Sequence, residues 1–192
     1  MIHPDYVRTN RLIALFILVL SFLVYYDTMA PSVSYWDCGE FIAVAYTLGV
    51  PHPPGSPLFL LLGRIASMLP FSEDIAFRVN LLSPLSSAFA VFFLYLIIVQ
   101  VVNHWRGKIE SKQDALIAFG AGVVGSLTFA FTDSHWFNAV EAEVYSFSTF
   151  FTAIVVWLIL LWSEKADEKG HERYILIIAY MIGLATGLHL LN

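Results

Sequence analysis

Five apolar runs, each close to the length that crosses a bilayer, constrain this chain more than anything else in it. Leu12–Tyr26, Val79–Val102, Ala115–Phe131, Phe147–Trp162 and Tyr174–Leu191 each reach, or with their flanks approach, the roughly 20 residues that span the hydrocarbon core. Only 13% of the 192 residues are charged, against 58% hydrophobic. A soluble fold of this size has too little interior to hide so many Leu, Ile, Val and Phe side chains. In lipid every backbone amide needs a partner within the protein, so the expected class is all-α integral membrane. Cys38 stands alone, which excludes an intramolecular disulfide and a cysteine metal cage. Arg8 and Arg11 precede the first run as they would in a signal peptide. However, the run continues to Tyr26, and Pro31 would follow the Thr28-Met29-Ala30 cleavage site, so it reads as an uncleaved first span.

A shorter run, Leu58–Leu69, covers only about 18 Å at 1.5 Å per residue and carries Arg64 near its middle. Charge sidedness decides its place. If it lies on the surface and the N-terminus is cytoplasmic, Arg8, Arg11, Arg106, Lys108, Lys112, Lys165, Lys169 and Arg173 all fall inside. If it spans, the Arg106–Lys112 and Lys165–Arg173 clusters move outside, against the positive-inside rule. The expected layout is therefore one transmembrane module over 1–192 with spans near 12–30, 79–102, 115–131, 147–162 and 174–191. An outer loop over 31–78 carries surface helices near 37–48 and 57–69. Gly183 with Gly187, and Gly120, Gly122 and Gly125, are expected to let helices approach closely. Pro84 is expected to kink the start of the second span.

This layout gathers Asp27, Asp37, Glu40, Glu73, Asp74, Asp133, Glu141 and Glu143 on the outer face. Polar groups that close to a bilayer are costly unless something uses them. Asp37 and Glu40 share a helix face at i, i+3, a spacing that fits both a paired acidic site and a capping box. Pro51-His52-Pro53-Pro54-Gly55-Ser56-Pro57 cannot be helix interior, and makes a rigid elbow that would hold His52 beside the carboxylates. Arg78 opens the second span at the interface, where it either snorkels to headgroups or grips a phosphate. Arg64 has the same two readings. Glu143 precedes the fourth span, and His189 falls in the last turn of the fifth. No nucleophilic triad, phosphate-binding glycine loop or nucleic-acid patch is present.

Ser34-x-Trp36-Asp37-Cys38-Gly39-Glu40-Phe41 followed by His52-Pro53-Pro54-Gly55-x-Pro57 resembles the membrane family of the vertebrate O-mannosyltransferase of plexin-type receptors. Trp136-x-x-Ala139-Val140-x-x-Glu143-Val144-Tyr145 and Gly187-Leu188-His189-Leu190 are similar to the same family's pattern. The resemblance implies a GT-C-type helical bundle that moves a sugar, mannose in that family, from a polyprenyl-phosphate carrier to an acceptor hydroxyl on protein or glycan. The reaction would take place on the non-cytoplasmic face of a bacterial inner membrane or the endoplasmic reticulum. Carried onto this sequence, Asp37 is the implied general base and Glu40 its neighbour or an acceptor-positioning group. Arg78 would hold the carrier phosphate, Glu143 would be the acidic residue of the second loop, and His52, Arg64 and His189 are further substrate-binding candidates. Some GT-C enzymes use a divalent metal, for which Asp37, Glu143 and His52 supply ligand types, so metal use stays open.

Two departures bear on this. Related enzymes often carry an adjacent Asp-Glu pair, whereas Cys38 and Gly39 separate the two here, which leaves the choice of base between Asp37 and Glu40 open. Five spans are fewer than such enzymes usually have, so the chain is expected to be the N-terminal part of a longer protein. The competing function is a transporter-like or carrier-lipid-binding module without chemistry. Transporters usually place polar groups in broken spans at the midplane, whereas these lie in loops and at span ends.

Overall fold

A computed structural model describes residues 4–53 and 55–188. Its described residues form α1 Pro4–Thr28, α2 Cys38–Thr47, α3 Pro57–Met68, α4 Ile75–Asn80, α5 Leu82–Arg106, α6 Lys112–Ala130, α7 Asp133–Ala139, α8 Val144–Ser163 and α9 Glu172–Ala185. The helices start where local chemistry satisfies orphan amides. Ser111 and Asp114 form a reciprocal capping box ahead of α6, and the Asp74 carboxylate accepts from the Ala76 and Phe77 N–H groups ahead of α4.

Among the described residues four stretches are long and apolar enough to cross a membrane: Tyr6–Thr28, Ile75–Arg106, Lys112–Ala130 and Val144–Ser163. Several apolar helices of this length fit a multi-pass membrane protein. The sequence pattern counted five. α9 has 14 residues, about 21 Å at 1.5 Å per residue, and so falls short of a crossing by itself. The second span runs from Ile75 to Arg106 with one interruption at Leu81, between α4 and α5, where the backbone keeps helical angles. Pro84, three residues on, has no N–H to give the Asn80 carbonyl, so the interruption falls at the start of the span, where the proline was expected to disturb it.

α5 is the central helix and packs against α1, α6 and α8. Its seam with α6 is close because Gly122 has no side chain: a Cβ there would lie 2.8 Å from the Tyr95 ring and 2.9 Å from Val99. Gly120 and Gly183, expected to serve the same purpose, face nothing within 4 Å. Polar pins cross the apolar seams. Tyr95 donates to Asn10 Oδ1 at 2.8 Å, and Tyr25 donates to the Ala130 carbonyl at 2.8 Å.

The end of α1 and the start of α5 meet, because Asn80 at the end of α4 donates to the carbonyls of Ala30 and Ser32. Residues 29–81 therefore leave one end of the bundle and return to it. Within that excursion α2 lies against α3, where a Cβ on Gly63 would sit 2.8 Å from that of Ala45. The Leu58 N–H donates to the Gly187 carbonyl at 2.9 Å, which brings the chain beyond α9 to the same end. α7, a single short helix in the second loop, carried no signal that the sequence reading used.

Candidate functional site

The site is built on the start of α2, the proline elbow and the start of α8. Trp36 adopts φ of 60°, a left-handed conformation that bulky residues rarely take, immediately before Asp37. This turn swings the chain into α2. Asp37 occupies the N-cap position, yet its carboxylate makes no capping bond. Glu40 does not reach back either. It crosses to the elbow instead, where it accepts from the His52 backbone N–H at 2.8 Å and pairs with Nδ1 of the same residue at 2.7 Å. The capping-box reading of Asp37-x-x-Glu40 is thereby replaced by a carboxylate–imidazole pair. His52 Nε2 lies 4.0 Å from Asp37 Oδ2, beyond hydrogen-bond reach.

A small cleft of about 40 Å³ opens beside this pair. Asp37, Phe41 and His52 line one side, Gly55 and Ser56 come from the elbow, and Glu143, Val144 and Tyr145 come from the start of α8. Phe41 sits between His52, tilted at a centroid distance of 5.8 Å, and Phe59, edge-on at 5.4 Å, and Phe59 continues edge-on to Phe147 at 5.7 Å. An aromatic column thus fixes the elbow to α8.

The electrostatics follow from this packing. The hydrogen bonds from His52 hold the Glu40 carboxyl below its usual range, and the same bond to Glu40 raises the His52 imidazole, helped by the charges of Glu40, Asp37 and Glu143. Glu143 is only 6% exposed. Burial, then the charges of Asp37 and Glu141, pushes it up to about 7. One ligand atom from each of Asp37, Glu40 and His52 lies within 4.8 Å of the others, an arrangement able to meet a cation. Glu143, expected to complete a metal set, is not in that trio, and Glu40 and His52 already spend facing atoms on one another.

The other candidates sit elsewhere. Arg78 donates through Nε to the Ser72 carbonyl at 2.6 Å and through a terminal nitrogen to the Ser67 carbonyl at 2.8 Å. It clips the α3–α4 turn and does not line the cleft. Arg64 donates to the Tyr46 carbonyl at 2.6 Å and lies 5.4 Å over the Tyr46 ring, joining α3 to α2. Both arginines are spent on backbone carbonyls. The Ser32 hydrogen bond foremost, helped by the charge of Arg78, holds the nearby Asp74 carboxyl below its usual range. His189 lies outside the described residues.

The sequence reading gave Asn80 no role. Its buried amide donates to Ala30 and Ser32 and accepts from the Ala142 N–H at 3.1 Å and the Cys38 thiol at 3.5 Å. It therefore ties together the segment after α1, the start of α2 and the loop before α8. Glu141, also buried, accepts from the Ser34 hydroxyl and adds a second link across the same gap. An asparagine at a helix end is common, and only three-dimensional convergence distinguishes this one. His135, from the second loop, is buried against Phe129 and Tyr25 and pushed down to about 4 by desolvation, so it is a neutral packing residue away from the cleft.

Residues 37–192 match the family described as Protein O-mannosyl-transferase TMEM260 N-terminal domain. The chain is 32% identical over 155 residues to a protein of Dictyostelium discoideum named Protein O-mannosyl-transferase tmem260, covering 79% of this chain and 17% of that one. It is 30% identical over 159 residues to Protein O-mannosyl-transferase TMEM260 of Mus musculus, covering 82% of this chain and 20% of that one. It thus spans about a fifth of the length of these relatives. No solved structure matches it. The matched region begins at Asp37 and takes in every residue that lines the cleft.

Proposed function

This chain belongs to the family of the TMEM260 N-terminal domain of protein O-mannosyl-transferases, and from that premise we propose that it is the N-terminal catalytic module of a GT-C-type glycosyltransferase. The observation that carries the reading is the meeting of Asp37, His52 and Glu143 in one cleft at an end of the helix bundle. The substrate would be a polyprenyl-phosphate sugar, with mannose as the sugar and a hydroxyl on protein as the acceptor.

The chemistry needs few parts. Asp37, whose carboxylate is more than half exposed and makes no capping bond, takes the proton of the acceptor hydroxyl as that oxygen attacks the anomeric carbon. The bond from that carbon to the carrier phosphate breaks on the opposite side, inverting the centre. Phosphate leaves readily, so one base and a counter-charge suffice. Glu143, pushed up to about 7 at the cleft wall, holds or passes a proton at neutral pH.

In this reading α2 and α3 recline along the non-cytoplasmic leaflet. Leu61, Ile65 and Met68 leave an apolar stripe of α3 open, as a helix lying in an interface would. The N-terminus is cytoplasmic, which puts Arg106, Lys108, Lys112, Lys165, Lys169 and Arg173 on the inner side, and α9 belongs to the fifth span. The test is Asp37→Asn in the full-length protein. Sugar transfer from a polyprenyl-phosphate donor is expected to vanish while the thermal midpoint is kept; retained transfer would overturn the assignment of the base.

A further inference from the structure

The cleft around Asp37 and Glu143 is rich in acid, yet the reaction proposed for it must release an anion. Among the residues that line it, His52 is the one side chain able to carry positive charge. The two arginines nearest in sequence are committed to the carbonyls of Ser67, Ser72 and Tyr46. His52 gives Nδ1 to Glu40 at 2.7 Å, while Nε2 stays 4.0 Å from Asp37, so that in the protonated imidazole the Nε2–H is free for another acceptor.

Ser56 supplies the second observation. It lines the same cleft, is 4% exposed, and its hydroxyl has no hydrogen-bond partner among the described residues. It is also the N-cap of α3, whose 12 residues direct the positive end of their dipole at this point. A serine that is buried as a residue but spends its hydroxyl on no capping bond, at a helix N-terminus and beside an imidazole, has the donor set of an anion seat.

We propose that His52 and Ser56, at the N-terminus of α3, seat the phosphate of the polyprenyl-phosphate donor, with Glu40 as the positioning residue that orients the imidazole. This rests on the glycosyl-transfer reading above. As the bond from the anomeric carbon to the phosphate oxygen breaks, its electron pair stays on that oxygen. The diester with one negative charge becomes a monoester with a second. The Nε2–H of a cationic His52 donates to the oxygen that gains the charge, and the acceptor proton goes to Asp37. Stabilisation is therefore greater in the transition state than in the bound donor. Glu40 touches neither reactant; it acts through His52.

The test uses the full-length protein in lipid nanodiscs with a radiolabelled polyprenyl monophosphate as the probe. His52→Gln is expected to weaken probe binding about tenfold or more, the loss of a charge-assisted hydrogen bond. Ser56→Ala should weaken it several-fold, and His52→Lys should recover part of the loss by restoring the cation. Raising the pH should weaken the wild type further than His52→Gln, in which Glu143 and the probe still titrate but the imidazole does not. The groups facing the imidazole are Glu40 and Asp37 on the α2 side and Glu143 before α8, with Glu141 behind it. Glu40→Gln should move this pH response to lower pH, which a loss of packing alone would not do. Equal binding by His52→Gln, with a wild-type thermal midpoint, overturns the seat, as does displacement by inorganic phosphate as effective as by unlabelled lipid phosphate. If His52-dependent binding is found but no sugar transfer, the seat stands and the glycosyltransferase reading falls. If transfer occurs and the probe ignores His52, the seat alone falls.

Discussion

Glu40 grips His52 at two points, accepting from its backbone N–H at 2.8 Å and pairing with Nδ1 at 2.7 Å, across twelve residues of chain. That contact ties the first turn of α2 to the proline elbow and leaves Nε2 on the cleft side. An i, i+3 acidic spacing that fits helix capping here serves a distant imidazole.

The pair has a defined pH window. Glu40 is held below its ordinary 4.5, so its contribution to stability is present above that value and lost as pH falls through the lowered one. His52 is raised above its ordinary 6.5, so its contribution is present below that value and lost as pH rises through the raised one. Glu40→Gln should therefore lower the thermal midpoint most between 4.5 and 6.5, and less at alkaline pH. A deficit that stays constant from acid to alkaline buffer would show that no ion pair forms.

Glu143 has the opposite sign to Glu40. Burial raises it from 4.5 to about 7, so ionising it opposes folding, and stability falls as pH rises through about 7. Glu143→Gln is expected to raise the thermal midpoint at pH above that value and to leave it unchanged below 4.5. Stabilisation in acid instead would contradict the buried, proton-holding environment.

Asn80 bonds in four directions, and truncation would strand the carbonyls of Ala30 and Ser32 and the Ala142 N–H. Asn80→Ala is expected to cost about 3 kcal/mol, measured by unfolding in detergent. Asn80→Asp should be at least as harmful, because it turns a carboxylate oxygen toward two carbonyls. A loss under about 1 kcal/mol would mean that water replaces the amide.

Gly122 sets the approach of α6 to α5. Gly122→Leu drives a side chain into Tyr95 and Val99 and is expected to destabilise by about 1–3 kcal/mol. Gly120→Ala, which meets nothing within 4 Å, serves as the neutral comparison. Equal thermal midpoints for the two variants would remove the close seam.

The membrane class, the two short helices after α1 and the rigidity of the elbow could be read from residue order, because each follows from local rules. Apolar run length fixes what can cross lipid, and proline fixes φ and removes a donor. α2 at Cys38–Thr47 and α3 at Pro57–Met68 lie within a residue of the stretches expected. The acidic residues of the cleft were legible too, since carboxylates beside lipid are expensive enough to stand out. What the side chains do was not. Whether Glu40 caps a helix or holds His52, whether Arg78 faces a phosphate or the carbonyls of Ser67 and Ser72, and whether Asn80 matters at all depend on which distant atoms come within 3 Å or so of each. A sequence states which donors and acceptors a residue owns. Which of them remain unspent, as at Ser56 and His52 Nε2, is set only when the elbow, α2 and α8 pack around one aromatic column.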